Sequence, residues 1–147
     1  MDTKLKADIA ESAVVTELLK HGLVVLKPYG DRLPYDVAIT NGKKLIRIQV
    51  KSAWLNKGYN RYVIDVRQTK TNRKRMLRKY YDENDFDFAI IYIQDLNDFF
   101  VLPIGIFRKY KSTLTLAETK GVKMMFNRMS VRKYLNRWDL LNGLTSQ

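Results

Sequence analysis

The stretch that most constrains this chain is residues 35–52, which read YDVAITNGKKLIRIQVKS and predict a β-hairpin. Two runs of alternating apolar and polar residues flank Asn41-Gly42. This dipeptide favours a two-residue type I′ turn, because such a turn needs positive φ at both central residues. With that turn length, the strands pair as Thr40–Lys43, Ala38–Leu45 and Asp36–Arg47.

Successive side chains of a strand point to opposite faces, so the hairpin has two faces of different character. The first face is apolar and consists of Tyr35, Val37, Ile39, Ile46, Ile48 and Val50. The second face carries Asp36, Arg47, Gln49 and Lys51. Asp36 and Gln49 are diagonal neighbours about 7–8 Å apart, within reach of one shared ion. A loop one residue longer, or a bulge, would change this assignment.

Composition narrows the class of partner and of metal site. The 147 residues are enough for one domain with its own core. The 27 Lys and Arg outnumber the 15 Asp and Glu, and the net charge of +12 favours a polyanionic partner such as nucleic acid. There is no cysteine and only one histidine, His21. Disulfides, thiolate chemistry and multi-histidine sites are therefore excluded, and an oxygen-bound cation such as Mg²⁺ is favoured.

Hydropathy gives no sign of a membrane segment or of a signal peptide. The sequence contains no run of about 18 or more apolar residues. We therefore expect a cytoplasmic protein with no membrane partner, associated with the nucleoid when it is bound to DNA.

Two short motifs carry a resemblance to a known superfamily. Pro34-Tyr35-Asp36, followed by Gln49-Val50-Lys51 on the next strand, resembles the signature of the PD-(D/E)xK nucleases. The wider similarity covers about residues 3–105 and resembles the group I intron homing endonucleases found in cyanobacterial transfer-RNA introns. The segments that carry it are LKADIAE, LKPYGDRLPYD, IQVKSAW, TKTNRKR and DFDFAIIY.

The resemblance implies a fold and a set of catalytic residues. The fold is α/β and restriction-endonuclease-like, with a central mixed sheet flanked by helices. The implied metal ligands are Glu11, Asp36 and Gln49, with the carbonyl of Val50 as a further candidate. Lys51 is expected to assist the attacking water or the developing phosphorane. The expected ion is Mg²⁺, for which Mn²⁺ should substitute. Since Gln49 replaces the commoner Glu or Asp, we expect weaker metal binding than in a Glu variant.

The most basic stretch, residues 67–79, is expected to contact DNA. Seven of its thirteen residues are Lys or Arg, and none is acidic. Lys and Arg neutralise phosphates, and Thr and Asn can bond phosphates or base edges. The predicted DNA-binding residues are Arg67, Lys70, Thr71, Asn72, Arg73, Lys74, Arg75 and Arg78.

The remaining pattern predicts one endonuclease domain over residues 1–147. Its core covers about 3–105, and 106–147 form an extension for DNA contact or oligomerisation. A first helix over 3–21 has an apolar stripe of Leu5, Ile9, Ala13, Val14 and Leu18. The other predicted elements are a buried strand over 23–27, a third meander strand over 61–68, a strand buried on both faces over 86–94, an edge strand over 114–117 and a helix over 130–141. Asp31 is expected to shape its loop, with a second acidic group of the site as the alternative. Asp65 is left unassigned, near the site or opposite a basic residue.

Three functions compete at this stage. The first is a Mg²⁺-dependent, site-specific DNA endonuclease that makes double-strand breaks. One chain supplies one site, so this function predicts a homodimer or homotetramer with a two-fold axis. The second is a Holliday-junction resolvase-like or repair nuclease that reads DNA shape. The third is a non-catalytic DNA-binding protein on the same fold.

Overall fold

The computed structural model describes residues 2–58, 61–71, 76–117, 125–126 and 129–144. In chain order the elements are α1 (Thr3–Lys20), β1 (Val24–Leu26), β2 (Val37–Thr40), β3 (Leu45–Ser52), β4 (Trp54–Asn56), β5 (Arg61–Asp65), β6 (Gln68–Thr71), β7 (Met76–Lys79), β8 (Phe88–Ile93), β9 (Asp98–Pro103), α2 (Ile104–Phe107), β10 (Thr113–Ala117), β11 (Met125–Phe126) and β12 (Met129–Ser130). Short 3₁₀ segments occupy Gln94–Leu96, Arg132–Tyr134 and Trp138–Leu144.

The centre of the molecule is a five-stranded mixed sheet in the order β1-β2-β3-β8-β9. β3 and β8 run parallel, and the other neighbouring pairs run antiparallel. β8 lies between β3 and β9, and its residues Ala89–Ile93 are buried. An apolar run suits a strand covered on both faces. The predicted mixed sheet and the doubly buried strand are confirmed.

Helix α1 covers one face of this sheet. The carboxylate of Asp2 caps its start by accepting a hydrogen bond from the backbone N–H of Lys4 at 3.0 Å. Ala10, Val14 and Leu18 recur at four-residue steps and pack in one cluster with the hairpin side chains Val37, Ile39, Ile48 and Val50. Leu5 was wrongly placed in the apolar stripe; it is 49% exposed, because the buried stripe begins one turn later.

The second face of the sheet packs against a three-stranded sheet in the order β10-β5-β4. The predicted meander strand over 61–68 is wrong in its extent and its partners. β5 ends at Asp65 and pairs with β4 and β10, so it does not join the central sheet. The chain then begins a separate antiparallel hairpin, β6–β7, which contains the described part of the basic stretch. The predicted edge strand over 114–117 is confirmed as β10.

The first hairpin has a longer loop than its Asn-Gly dipeptide predicts. Thr40 pairs with Leu45, so the loop contains four residues. Asn41 Oδ1 accepts hydrogen bonds from the backbone N–H of Lys43 at 3.0 Å and of Lys44 at 2.9 Å. Asn41 does not have the positive φ that a type I′ turn requires, whereas Gly42 has φ 91°. The Asn side chain therefore closes a wider turn.

This register differs from the predicted one by two residues, and the assignment of faces survives because two is an even number. Ala38 now faces Arg47, and Val37 faces Ile48. One predicted position is wrong: Tyr35 packs against the cluster on the opposite face of the sheet. It precedes the first paired residue of β2, where strict alternation does not hold.

Two further elements differ from their predictions. The strand predicted as buried over 23–27 is the edge strand β1, in which Val24 is 57% exposed. The predicted helix over 130–141 is replaced by two 3₁₀ segments separated by Asn136, which has φ 51°. Asn136 forms two hydrogen bonds with Phe99 of β9. Its backbone N–H donates to the Phe99 carbonyl, and its side-chain oxygen accepts from the Phe99 N–H. These tertiary bonds outweigh the local helical pattern.

None of the described helices is long and apolar enough to span a membrane.

Candidate active site

A cleft of about 370 Å³ opens between α1, the loop before β2 and strand β3. Its lining includes all four predicted catalytic residues, Glu11, Asp36, Gln49 and Lys51. α1 supplies Glu11, and β3 supplies Gln49 and Lys51, which project away from the apolar cluster under α1. The hairpin parity and the packing of α1 thus bring distant sequence positions together.

Asp36 is the most enclosed carboxylate of this group. Its Oδ2 accepts a hydrogen bond from the backbone N–H of Val50 at 2.8 Å, which fixes the carboxylate against β3. Burial raises the pKa of the Asp36 carboxyl, and the nearby charge of Glu11 raises it further. The Val50 bond and the Lys51 ammonium oppose this rise in pKa. A bound cation would favour the ionised form of such a carboxylate.

Glu11 faces the same cleft but is more exposed. Its Oε1 forms an ion pair with Nζ of Lys27, the residue that follows β1. The hydrogen bond and charge of Glu11 raise the pKa of Lys27. The Lys27 ammonium would therefore compete with a cation for the Glu11 carboxylate.

Gln49 and Val50 contribute neutral oxygen atoms. Nε2 of Gln49 donates a hydrogen bond to the backbone carbonyl of Val50 at 3.3 Å. The amide group therefore lies next to a carbonyl oxygen on the same strand. Both groups offer the hard oxygen donors that Mg²⁺ prefers.

Lys51 lies deeper, on the other side of the cleft. Its Nζ donates to the backbone carbonyl of Arg67 at 3.0 Å and lies 5.0 Å from the centre of the Tyr81 ring. Burial lowers the pKa of Lys51 to about 8, while the charges of Asp65 and Asp36 oppose this shift. Lys51 is thus a cation enclosed next to carboxylates.

Comparison with known proteins agrees with this geometry. The family described as PD-(D/E)XK endonuclease matches residues 1–138. The chain belongs to this endonuclease family. Among solved structures, a bacterial homing endonuclease, I-Ssp6803I, is similar with 39% sequence identity and a TM-score of 0.85, covering 99% of this chain and 98% of that one. No curated protein matches the sequence.

Membership of the PD-(D/E)XK family confirms the expected superfamily and the restriction-endonuclease-like α/β fold. Endonucleases of this family act on DNA and generally use divalent metal ions. The described residues contain no group of three His, Cys, Asp or Glu side chains suited to a metal. A cation in this cleft would therefore rely on two carboxylates plus the neutral oxygens of Gln49 and Val50. That donor set fits a hard divalent ion.

The predicted DNA-binding residues are only partly described. Arg67 precedes β6 and Arg78 lies in β7, and both approach the carboxylate of Asp65. Lys70 and Thr71 belong to the β6–β7 backbone pairing. The predicted contacts at Asn72, Arg73, Lys74 and Arg75 lie outside the described residues.

Sequence reasoning missed two residues of the PD-(D/E)XK cleft. Asp65 was left unassigned, and Tyr81 was not among the predicted site residues. Both line the cleft on the side of Lys51. The position of Asp65 at the end of an alternating strand was its only signal, and that signal does not say which element the strand joins. Asp31, expected to shape its loop, also lines the cleft.

Proposed function

We propose that this protein is a Mg²⁺-dependent, site-specific homing endonuclease that makes double-strand breaks in DNA. The observation that carries the proposal is the meeting of Glu11, Asp36, Gln49 and Lys51 in one cleft. The 39% identity to a bacterial homing endonuclease over nearly the whole of both chains supports the homing assignment.

In this proposal, Asp36, Glu11, Gln49 and the Val50 carbonyl hold the cation. The bound ion would supply charge neutralisation at phosphorus and a more acidic water. Asp36 is held ready by the Val50 N–H, so its second oxygen stays available to the cleft. Glu11 would release the Lys27 ammonium and bind the ion. The neutral Gln49 leaves the site one negative charge short of a Glu-containing one, which favours one firmly bound ion.

Lys51 stabilises charge on the phosphate side of the site. Its Nζ is enclosed between the Arg67 carbonyl and the Tyr81 ring, where a cation interacts more strongly than in water. From this position the ammonium can orient the attacking water and donate to a phosphoryl oxygen. Arg67 and Arg78, on the same side as Lys51, provide further positive charge for the DNA backbone.

The basic stretch over 67–79 is proposed to bind the DNA backbone. The net charge of +12 supports this role. Replacing Arg73 and Arg75 together with Ala should weaken DNA binding and reduce the slope of log affinity against log salt by about two. An unchanged slope would mean that this segment does not contact the DNA phosphates.

We further propose that residues 1–147 form one endonuclease domain acting as a homodimer or homotetramer. The described part of the chain contains one such cleft, and cutting two strands needs two. Sedimentation equilibrium with and without target DNA tests the oligomer.

The function is tested by incubating the protein and its Asp36→Asn variant with a DNA pool that contains random duplexes and four-way junctions. Mg²⁺ is present in one series and EDTA in the other, and sequencing locates the ends. We expect double-strand cuts at one defined linear site with Mg²⁺, and none with EDTA or with the variant. Cutting confined to four-way junctions would favour the resolvase-like alternative. DNA binding without cutting would favour the non-catalytic alternative.

A further inference from the structure

Asp65 ends strand β5 beside the cleft, and the root of the β6–β7 hairpin engages both of its carboxylate oxygens. Oδ1 accepts hydrogen bonds from the backbone N–H of Arg67 at 2.9 Å and from its Nε at 3.2 Å. Oδ2 lies 3.7 Å from Nε of Arg78. Arg67 precedes β6 and Arg78 belongs to β7, so one carboxylate joins the two strands of the hairpin at their base.

The backbone of Arg67 continues this chain of contacts to the catalytic lysine. Its N–H is bonded to Asp65, and its carbonyl accepts the hydrogen bond from Lys51 Nζ at 3.0 Å. Lysine has a long flexible side chain that loses much rotamer freedom when its ammonium is placed. A carbonyl that is itself held in place reduces the number of positions open to Nζ.

We propose that Asp65 is a positioning residue for the cleavage reaction: it fixes Arg67, and the Arg67 carbonyl then orients Lys51 towards the scissile phosphate. The proposal rests on the catalytic role proposed for Lys51. It assigns to Asp65 no contact with DNA, water or metal. Its carboxylate oxygens are already directed at N–H donors of Arg67 and Arg78, which distinguishes it from the metal ligand candidates Asp36 and Glu11.

The molecule contains a second aspartate–arginine pair of nearly the same geometry, which supplies a matched control. Asp87 Oδ2 accepts from the backbone N–H of Arg47 at 2.8 Å and from its Nε at 3.3 Å. Neither Asp87 nor Arg47 lines the cleft. Asp87→Asn therefore removes a similar charge-assisted contact without touching the neighbourhood of Lys51.

The first test compares single-turnover cleavage by the full-length wild type, Asp65→Asn and Asp87→Asn at saturating DNA, with Mg²⁺ varied. For Asp65→Asn we expect a plateau rate about tenfold to a hundredfold lower, as for loss of other residues that orient a catalytic group. The Mg²⁺ concentration at half-maximal rate should not change. DNA affinity should be unchanged or a few-fold tighter, because a negative charge beside two arginines is lost. Asp87→Asn should cleave within about twofold of wild type.

Two results of this test would overturn the proposal. Equal plateau rates for the two variants would show that Asp65 has no specific role in cleavage. A raised Mg²⁺ midpoint with a recovered plateau rate would make Asp65 a metal ligand.

A second test does not depend on cleavage. Pulse acetylation with acetic anhydride at about pH 10, where the Lys51 amine is largely unprotonated in every variant, reports how well that amine is held; mass spectrometry reads the labels, with exposed Lys44 as the internal reference. Asp65→Asn should raise the Lys51 labelling rate several-fold, and Asp87→Asn should leave it unchanged. An unchanged Lys51 rate in Asp65→Asn would overturn the proposal even if the wild type cleaves as expected. A raised rate in a protein that cuts no DNA would keep the positioning contact and reject the proposed function alone.

Discussion

The two sides of the cleft hold charges of opposite sign. The metal side, Glu11, Asp36 and Gln49, concentrates oxygen donors and negative charge. The lysine side, Lys51, Asp65, Arg67 and Tyr81, surrounds a cation with a carbonyl, an aromatic ring and a paired carboxylate. Burial disfavours charge on both sides, raising the pKa of Asp36 and lowering that of Lys51.

The two sides differ in how complete they are within the chain. On the lysine side, the described contacts pair the charged groups of Lys51, Asp65 and Arg67 with protein partners. On the metal side, the contacts within the described ranges are the Val50 N–H bond to Asp36 and the ion pair of Glu11 with Lys27 at the cleft edge. The contacts of the lysine side are therefore completed by folding, whereas under the proposed function the metal side would be completed by a bound cation. Four substitutions test this contrast.

The largest effect is expected from Lys51→Ala. Loss of the enclosed ammonium should lower the single-turnover cleavage rate by at least about a thousandfold, because no other described cation occupies that position. DNA affinity should stay within a few-fold, since the basic stretch is intact. Rapid-quench kinetics and a binding titration measure the two quantities. Lys44→Ala, at an exposed loop of the same hairpin, is the control. An active Lys51→Ala enzyme would contradict the assignment of the lysine side.

The next effect is on stability and follows from the burial of Lys51. Its pKa is about 8 in the folded protein and near 10.5 when unfolded, so between these values the unfolded chain binds more protons. The free energy of unfolding therefore rises with pH in that window. Relative to Lys51→Met, wild type should gain about 2 kcal/mol between pH 8 and pH 10.

Urea unfolding at several pH values, with EDTA present, measures this difference for both proteins. EDTA keeps the metal side empty, so the result reports the lysine side alone. Lys44 is exposed, so wild type should show no such gain in stability with pH when it is compared with Lys44→Met. A constant difference between wild type and Lys51→Met across the window would mean that Lys51 is solvated.

A smaller effect is expected on the metal side from Gln49→Glu. The added carboxylate should lower the dissociation constant for Mg²⁺ by about tenfold, because it places another negative charge beside Asp36. Without metal, the same charge should destabilise the fold, so Mg²⁺ should raise the melting temperature more than in wild type. Calorimetric titration and thermal melts measure both effects. Gln94→Glu adds the same charge at an exposed site away from the cleft and should change neither.

The hairpin illustrates how much of this site could be read from the sequence. The predicted turn length was wrong by two residues, yet Asp36, Gln49 and Lys51 still face the cleft, because an even shift in register keeps every side chain on its face. Periodicity in strands is thus more robust than turn geometry. Asn41 changed the turn because its side-chain oxygen accepts two backbone hydrogen bonds, which the dipeptide rule does not consider.

The parts that could not be predicted depend on contacts between distant segments. Asp65 reaches the cleft because β5 pairs with β10, nearly fifty residues later, and does not join the central sheet. The expected helix over 130–141 is lost because Asn136 bonds the edge strand β9. Neither partner is visible in a local pattern. Local pattern and resemblance thus predicted four residues that line the cleft, whereas Asp65 and Tyr81, which depend on distant pairing, were not predicted.

The smallest expected effect concerns the ion pair that occupies Glu11. Lys27→Ala should tighten Mg²⁺ binding by about twofold to fivefold, since a solvent-exposed pair contributes at most about 1 kcal/mol. The matched control is Lys20→Ala, because Lys20 pairs with Glu17, which lies on the same helix as Glu11. The two ion pairs are similarly exposed. The side chains are 64% and 26% exposed in Lys27–Glu11, and 68% and 24% exposed in Lys20–Glu17. Calorimetric titration of both variants with Mg²⁺ isolates the role of Glu11. Tighter binding only in Lys27→Ala would mean that the chain's own lysine competes with the metal. Equal affinities in both would place Glu11 outside the metal's reach and leave Asp36 as the one carboxylate ligand of the proposed set.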